Sequence, residues 1–410
     1  MFSKGQLEDV RIVDFTGELG PYASKLYAGV GADVIHLEPI GGDPMRSVGP
    51  FYKNKKSQES SLMYQYYNAG KRGMPLNLDS KKGQDIFREL CGSRDILFES
   101  FAPGYLEQRN ISYDNLRERN NKLVHVSMTP FGSFGEMAHM EGSDLVCSAV
   151  GGFLYLAGVD NEKPVRAPDE QSYRMAEAYA AVGGAIAFYH ALKSGEGQHV
   201  DVSCIESAAM ALENAAQYWD LEGKIRRGRG KEAATATIHP CKDGYIVLAA
   251  IMGNNQSMWR TFLDWMKAES IDGWQEFDNE KWIDSNYRKT RQAYDLFCDI
   301  FERYTRQHTK RYLYETGQSY KVAISPVNNG KDLLENPQLM YREYWKKIHV
   351  KELGGEITVP GSPYELSDLE WNAGQAAPYY GQHSKEILME LGYSCEDIEE
   401  LNERGVVYVG

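Results

Sequence analysis

Short apolar runs alternate with amphipathic stretches through the first third of the chain. Residues 10–15 (VRIVDF) and 33–38 (DVIHLE) read as strands flanking a helix over 22–30. A helix over 81–91 follows the cap residues Asp79 and Ser80, then come a strand over 95–101, a short helix over 112–120 and a strand over 123–131. Continuous apolar strands separated by helices predict an α/β unit with a doubly wound, Rossmann-like parallel sheet. Ligands in such sheets bind beyond the carboxyl ends of the strands. Here those ends, at 16–20, 38–42, 100–104 and 129–132, are rich in glycine or proline.

Residues 165–207 carry a different pattern. A helix from about Arg174 to Leu192 is dominated by small residues, among them Ala176, Ala180, Ala181, Gly183, Gly184 and Ala187. Small residues let neighbouring backbone approach closely, so this helix is expected to be buried. A glycine turn at Gly195 and Gly197 then leads into a strand at His199–Ser203. The helix begins with Asp169, Glu170, Gln171, Ser172 and Tyr173, which would suit carboxylate chemistry at the edge of a cleft and would equally serve as plain helix caps.

Residues 38–73 form a long irregular stretch, too long for a simple connection, ending in Lys71 and Arg72, which could grip a phosphate or simply be solvated. A basic linker, KIRRGRGK at 224–231, precedes a turn and strand over 240–250, a loop at Gly253–Gln256 and a largely helical 257–322. A strand and loop follow within 319–339, and a polar loop with an amphipathic helix pair spans 377–405.

Composition narrows the function classes. A chain of 410 residues should form more than one folded unit. A net charge of −13 disfavours nucleic acid and anionic membranes as partners, so an anionic ligand would need a local basic patch. The six cysteines are scattered without metal-ligand spacing, so no metal is expected. The opening MFSKGQLEDVRIVDF has no apolar signal region and no run approaches a membrane span, so a cytoplasmic protein is expected. Neither GxGxxG nor a Walker A motif is present to support a dinucleotide or nucleoside triphosphate.

Several motifs resemble those of the family III CoA-transferases, the CaiB/BaiF family. They are Gly41-Gly42-Asp43-Pro44-Met45-Arg46, Asn68-Ala-Gly-Lys71-Arg72 with Leu76-Asn77-Leu78, Glu99-Ser-Phe-Ala-Pro103-Gly104, GEGQHVDVS with ESAAMAL, Ile324-Ser-Pro326 and Gly381-Gln-His383. The resemblance implies a large Rossmann-like domain built from 1–222 and 321–410, a smaller α+β domain over 225–320, and two chains interlocked as a homodimer. It implies acyl-CoA and a small organic acid as substrates, with CoA a substrate and not a permanently bound cofactor. Glu18, Leu19, Lys71, Arg72, Ser100 and Phe101 become the candidates for CoA binding.

The family's transferases use an aspartate at the start of the central helix, which attacks the donor thioester and passes through an anhydride and an aspartyl-CoA thioester. Counting back from Gly197-Gln198 without gaps, that position is Tyr173, beside Ser172, and neither can form an anhydride. Three readings follow. Asp169 or Glu170, one turn earlier, could be the nucleophile of a transferase, which the family leads one to expect first. The chain could instead run an isomerisation, racemisation or elimination on an acyl-CoA, with Tyr173, Glu177 or Asp144 as acid–base groups. The histidine of the family's racemases is replaced by Ser143 in Gly142-Ser143-Asp144. The third reading is a non-catalytic CoA-binding partner subunit.

Overall fold

The structure, a computed structural model, describes residues 7–158, 162–212, 215–225, 233–368, 371–372 and 375–410. Most of the basic linker, 226–231, lies outside them. The chain divides into two compact units: Met1–Ala157 with Pro164–Arg226 and Met340–Gly410, and Gly158–Lys163 with Arg227–Leu339.

The first unit contains strands β1 (Arg11–Phe15), β2 (Asp33–Glu38), β3 (Arg72–Pro75), β4 (Ile96–Glu99), β5 (Val124–Thr129) and β6 (His199–Ser203). They form one parallel sheet in the order β3-β2-β1-β4-β5-β6. Its helices up to β6 are α1 (Pro21–Gly29), α2 (Leu62–Tyr67), α3 (Lys81–Gly92), α4 (Tyr113–Arg117), α5 (Asp144–Val150), α6 (Phe153–Leu156) and α7 (Gln171–Ser194). Strand order reverses between β1 and β4, which opens a crevice at their carboxyl ends.

Alternate residues of each strand feed the two faces of the sheet. Ile12, Val34, Phe98 and Val126 pack with α1 and α7. Val13, Leu37 and Leu97 pack with α3 and with the C-terminal helices Ser384–Glu390 and Cys395–Glu403. That second face explains why the end of the chain returns to the first unit. On α7 the small residues serve close approach: a side chain at Gly184 would meet Tyr27, Phe98 and Val126 at 3.2–3.3 Å.

The helix α7 is buried on one face only, contrary to expectation. Tyr179, Val182, Ile186 and Tyr189, at helical spacing, are 46%, 57%, 67% and 63% exposed. Small residues mark where the sheet is approached; they do not say that every face is covered.

The second unit holds an antiparallel sheet of β7 (Ala236–Cys241), β8 (Gly244–Ala249) and β9 (Ala323–Pro326) around an aromatic core that includes Trp259, Trp265, Trp282 and Phe297. Because β9 pairs with β8, this unit extends to Leu339, whereas 321 was the expected return point. In the first unit an antiparallel hairpin, β10 (Trp345–Val350) and β11 (Gly355–Pro360), was not anticipated.

Candidate active site

The loop after β1 is the first wall of the crevice. Gly20 has φ +124, and a Cβ there would lie 2.4 Å from Thr16 Cγ2, so the sharp entry into α1 requires glycine. The Gly20 amide donates to Glu177 Oε1 of α7 at 2.6 Å, and the Gly17 amide donates to Ser100 Oγ after β4 at 3.1 Å. The loop is therefore held by α7 on one side and β4 on the other. Beneath it Asp14 accepts from Lys71 Nζ at 2.7 Å, Thr16 Oγ1 at 2.6 Å and Ser24 Oγ at 2.8 Å, and contacts His36 Nδ1 at 3.2 Å.

This network is wholly buried, so its charges must match. Asp14 is held well below the usual carboxylate range: burial opposes this, and Lys71 and His36 outweigh it. His36 is raised to about 9: burial again opposes, and contacts with Asp14 and Asp43 prevail.

A cavity of about 630 Å³ opens above these strand ends. Thr16, Gly17, Glu18 and Leu19 line it after β1, Ile40 and Asp43 after β2, and Leu76–Asp79 after β3. Ser100, Phe101 and Tyr105 line it after β4, and Tyr173 reaches it from the first turn of α7. Tyr173 is 6% exposed, and burial, with Cys147, Cys204, Glu18 and Asp144 nearby, pushes its phenol well above the usual range. It stays a neutral hydroxyl near pH 7, able to donate a hydrogen bond and unfit to act as nucleophile or base.

Five of the residues marked in the sequence thus meet in one cavity: Glu18, Leu19, Ser100, Phe101 and Tyr173. The other six do not line it. Asp144 reaches the N-terminus of α7, accepting from the amides of Ser172 at 2.8 Å and Tyr173 at 3.3 Å, and it pairs with Arg166 at 3.3 Å. Asp144 thus caps α7 and not its own helix, instead of presenting an acid–base group to the cavity. Asp169 is exposed with φ +58, and Glu170 is tied to Arg174 at 2.8 Å. Glu177 is fully buried, accepts from Arg174 at 2.5 Å, and is raised to about 7, because burial exceeds the opposing pull of Arg174, the Gly20 amide and Lys71.

The two cations expected to grip CoA are engaged elsewhere. Lys71 is buried against Asp14, the Pro21 carbonyl and Asn68. Arg72 is held by Asp33, Glu386 and Glu390 at 2.6–2.9 Å. The cavity lining instead contains three carboxylates, Glu18, Asp43 and Asp79, and no lysine or arginine among the described residues. Asp43 and Asp79 were not marked in the sequence, where one sits in a Gly-Gly-Asp-Pro turn and the other reads as a helix cap.

Comparison with known proteins gives this geometry its context. Residues 7–384 match the family described as CoA-transferase family III. The chain is 56% identical to succinyl-CoA:(R)-benzylsuccinate CoA-transferase subunit BbsE of Thauera aromatica, with 97% of each chain covered. It is 30% identical to human succinyl-CoA:glutarate CoA-transferase, over 98% of this chain and 90% of the other. In fold it is similar to a CAIB/BAIF family protein from Brucella suis, with a TM-score of 0.83 at 22% identity, covering 95% of this chain and all of that one. The fold is thus shared with a CAIB/BAIF protein, and by its sequence the chain belongs to the family III CoA-transferases, enzymes that move CoA between an acyl-CoA and a free carboxylic acid.

Proposed function

We propose that this chain is one subunit of a CoA-transferase made of two unlike chains, and that the other chain supplies the carboxylate that carries the acyl group. Its reaction takes CoA from succinyl-CoA to an aryl-substituted succinate, in the cytoplasm where acyl-CoA is held. The substrates and the word "subunit" come from the name of the 56%-identical relative.

The observation that carries the reading is the character of the cavity. Its position at the start of α7 is taken by a buried, neutral tyrosine. CoA brings a phosphate monoester and a pyrophosphate, and among the described residues the lining offers no lysine or arginine to meet them, while two of its carboxylates are already matched, Asp43 by His36 and Asp79 by Arg109. The exposed apolar stripe of α7 supports association with a second chain, as in the interlocked pair expected of the family. The pairing is kept, with an unlike chain in place of a second copy.

Asp169 and Glu170 are poor substitutes for the missing nucleophile, since neither lines the cavity and Glu170 is neutralised by Arg174. Of the acid–base candidates for an isomerase or lyase, Glu177 and Asp144 do not line the cavity, so that reading gains no base from them.

The test is to incubate the purified chain alone with succinyl-CoA, then look by intact mass for a hydroxylamine-sensitive succinyl or CoA adduct and for exchange of CoA into labelled succinate. The expected result is neither. In parallel, the chain tagged and isolated from its own cells should carry an unlike family III chain. An adduct mapped to Asp169, Glu170 or Glu18 in the isolated chain would overturn the proposal.

A further inference from the structure

One cation stands just outside the cavity lining. Arg109, in the short helical turn after β4 (Glu107–Arg109), lays its guanidinium over the ring of Tyr105 at 3.7 Å. Its NH1 donates to the Tyr105 carbonyl at 3.1 Å and its NH2 to Asp79 Oδ1 at 2.6 Å. Its Nε is buried and has no partner. Tyr105 and Asp79 both line the cavity, and Tyr105 stacks on Phe101 with centroids 4.4 Å apart and planes 8° from parallel.

Arg109 and Phe101 already cover the Tyr105 ring, so what this corner of the cavity offers a nucleotide is the guanidinium, whose planar fork suits a phosphate. What disables it here is Asp79, whose carboxylate sits where a phosphate oxygen would meet NH2.

We infer that Asp79 and Arg109 form a latched anion site at this cavity, suited to the phosphate monoester of a nucleotide, and that Asp79 is the residue that keeps CoA out. The Asp79 side chain is 78% exposed and that of Arg109 21%, so the pair itself holds weakly. Exclusion comes mainly from repulsion, because a phosphate seated on Arg109 would lie against a carboxylate bonded to the same guanidinium. Removing the charge while keeping the shape, as in Asp79→Asn, should release the site. Asp79 lies one residue before Ser80, the N-cap of α3, which accepts from the Gly83 amide and is left intact by the change.

The inference rests on the reading that this chain is not the CoA-binding half, and the experiment separates the two. Binding of CoA, adenosine 3′,5′-bisphosphate and dephospho-CoA is measured by calorimetry on the purified full chain, wild type and Asp79→Asn, at low and high salt. Wild type is expected to bind all three weakly. Asp79→Asn is expected to bind CoA and the bisphosphate at least about tenfold more tightly, about 1.4 kcal/mol, with the gain vanishing at high salt and absent for dephospho-CoA. Adding Arg109→Gln should cancel the gain, and Arg109→Lys, which keeps the charge and loses the planar fork, should keep part of it.

Tight CoA binding by wild type would overturn both this inference and the proposed function. Weak binding by wild type with no gain in Asp79→Asn would overturn the latch alone. A gain that survives Arg109→Gln, in a protein melting at the wild-type temperature, would remove Arg109 as the ligand. An equal gain for dephospho-CoA would overturn the assignment to a phosphate monoester.

Discussion

Glu177 is a fully buried carboxyl whose pKa is raised from 4.5 to about 7, and this has a consequence for stability that Glu177→Gln exposes. Below 4.5 the group is protonated in both folded and unfolded chains and contributes no pH dependence. Between 4.5 and 7 the folded chain holds a proton that the unfolded chain gives up, so stability falls as pH rises. Above 7 the loss is complete. At about 1.4 kcal/mol per pH unit, that interval corresponds to about 3 kcal/mol. Glutamine can still accept from the Gly20 amide and never ionises, so this source of pH dependence disappears, leaving Arg174 paired with Glu170. Thermal unfolding of both proteins at pH 4.5 and pH 8 measures it. The variant should gain on wild type by about 6 °C between the two pH values, at roughly 2 °C per kcal/mol for a unit of this size. A gap between the two proteins that does not change with pH would mean that Glu177 ionises in the fold as freely as in the unfolded chain, and the argument from burial would fail.

Two further changes address the loop and the exposed helix face. Gly20→Ala should destabilise the chain by about 2–4 kcal/mol, since φ is +124 and the new Cβ would lie 2.4 Å from Thr16 Cγ2; an unchanged melting temperature would refute it. Ile186→Asp, on the exposed stripe of α7, should leave the fold of the single chain intact by circular dichroism and weaken its pairing by more than about a hundredfold. Mass photometry of the co-expressed chains reads the outcome, and an undiminished complex would place the interface elsewhere.

The strands were legible wherever a run was continuously apolar, as in VRIVDF and DVIHLE, because both sheet faces are covered. The strand β3 was not, since Arg-Gly-Met-Pro at a sheet edge has neither apolar continuity nor alternation. The hairpin β10–β11 did carry a signal, with alternate residues such as Ile348 and Val350 buried between exposed ones. Glu18, Leu19, Ser100, Phe101 and Tyr173 could be placed around one cavity from the sequence, because each follows a strand end or starts α7. They misplaced Lys71, because the sequence does not reveal that its ammonium is bound to Asp14, 57 residues away. Asp43 and Asp79 escaped notice for a related reason: an acidic residue in a turn looks the same whether it faces solvent or a cavity.

The uncovered stripe of α7 bears on how the protein must be made. On the proposed pairing, the apolar face of α7 is covered by a second chain, which ties the useful amount of this protein to the supply of that chain. Synthesis in matched proportion keeps the face covered from the moment of folding, whereas surplus chains meet one another or the proteases and chaperones that clear exposed apolar surface. Dosage of the partner, more than the stability of this chain, would then set how much enzyme a cell holds.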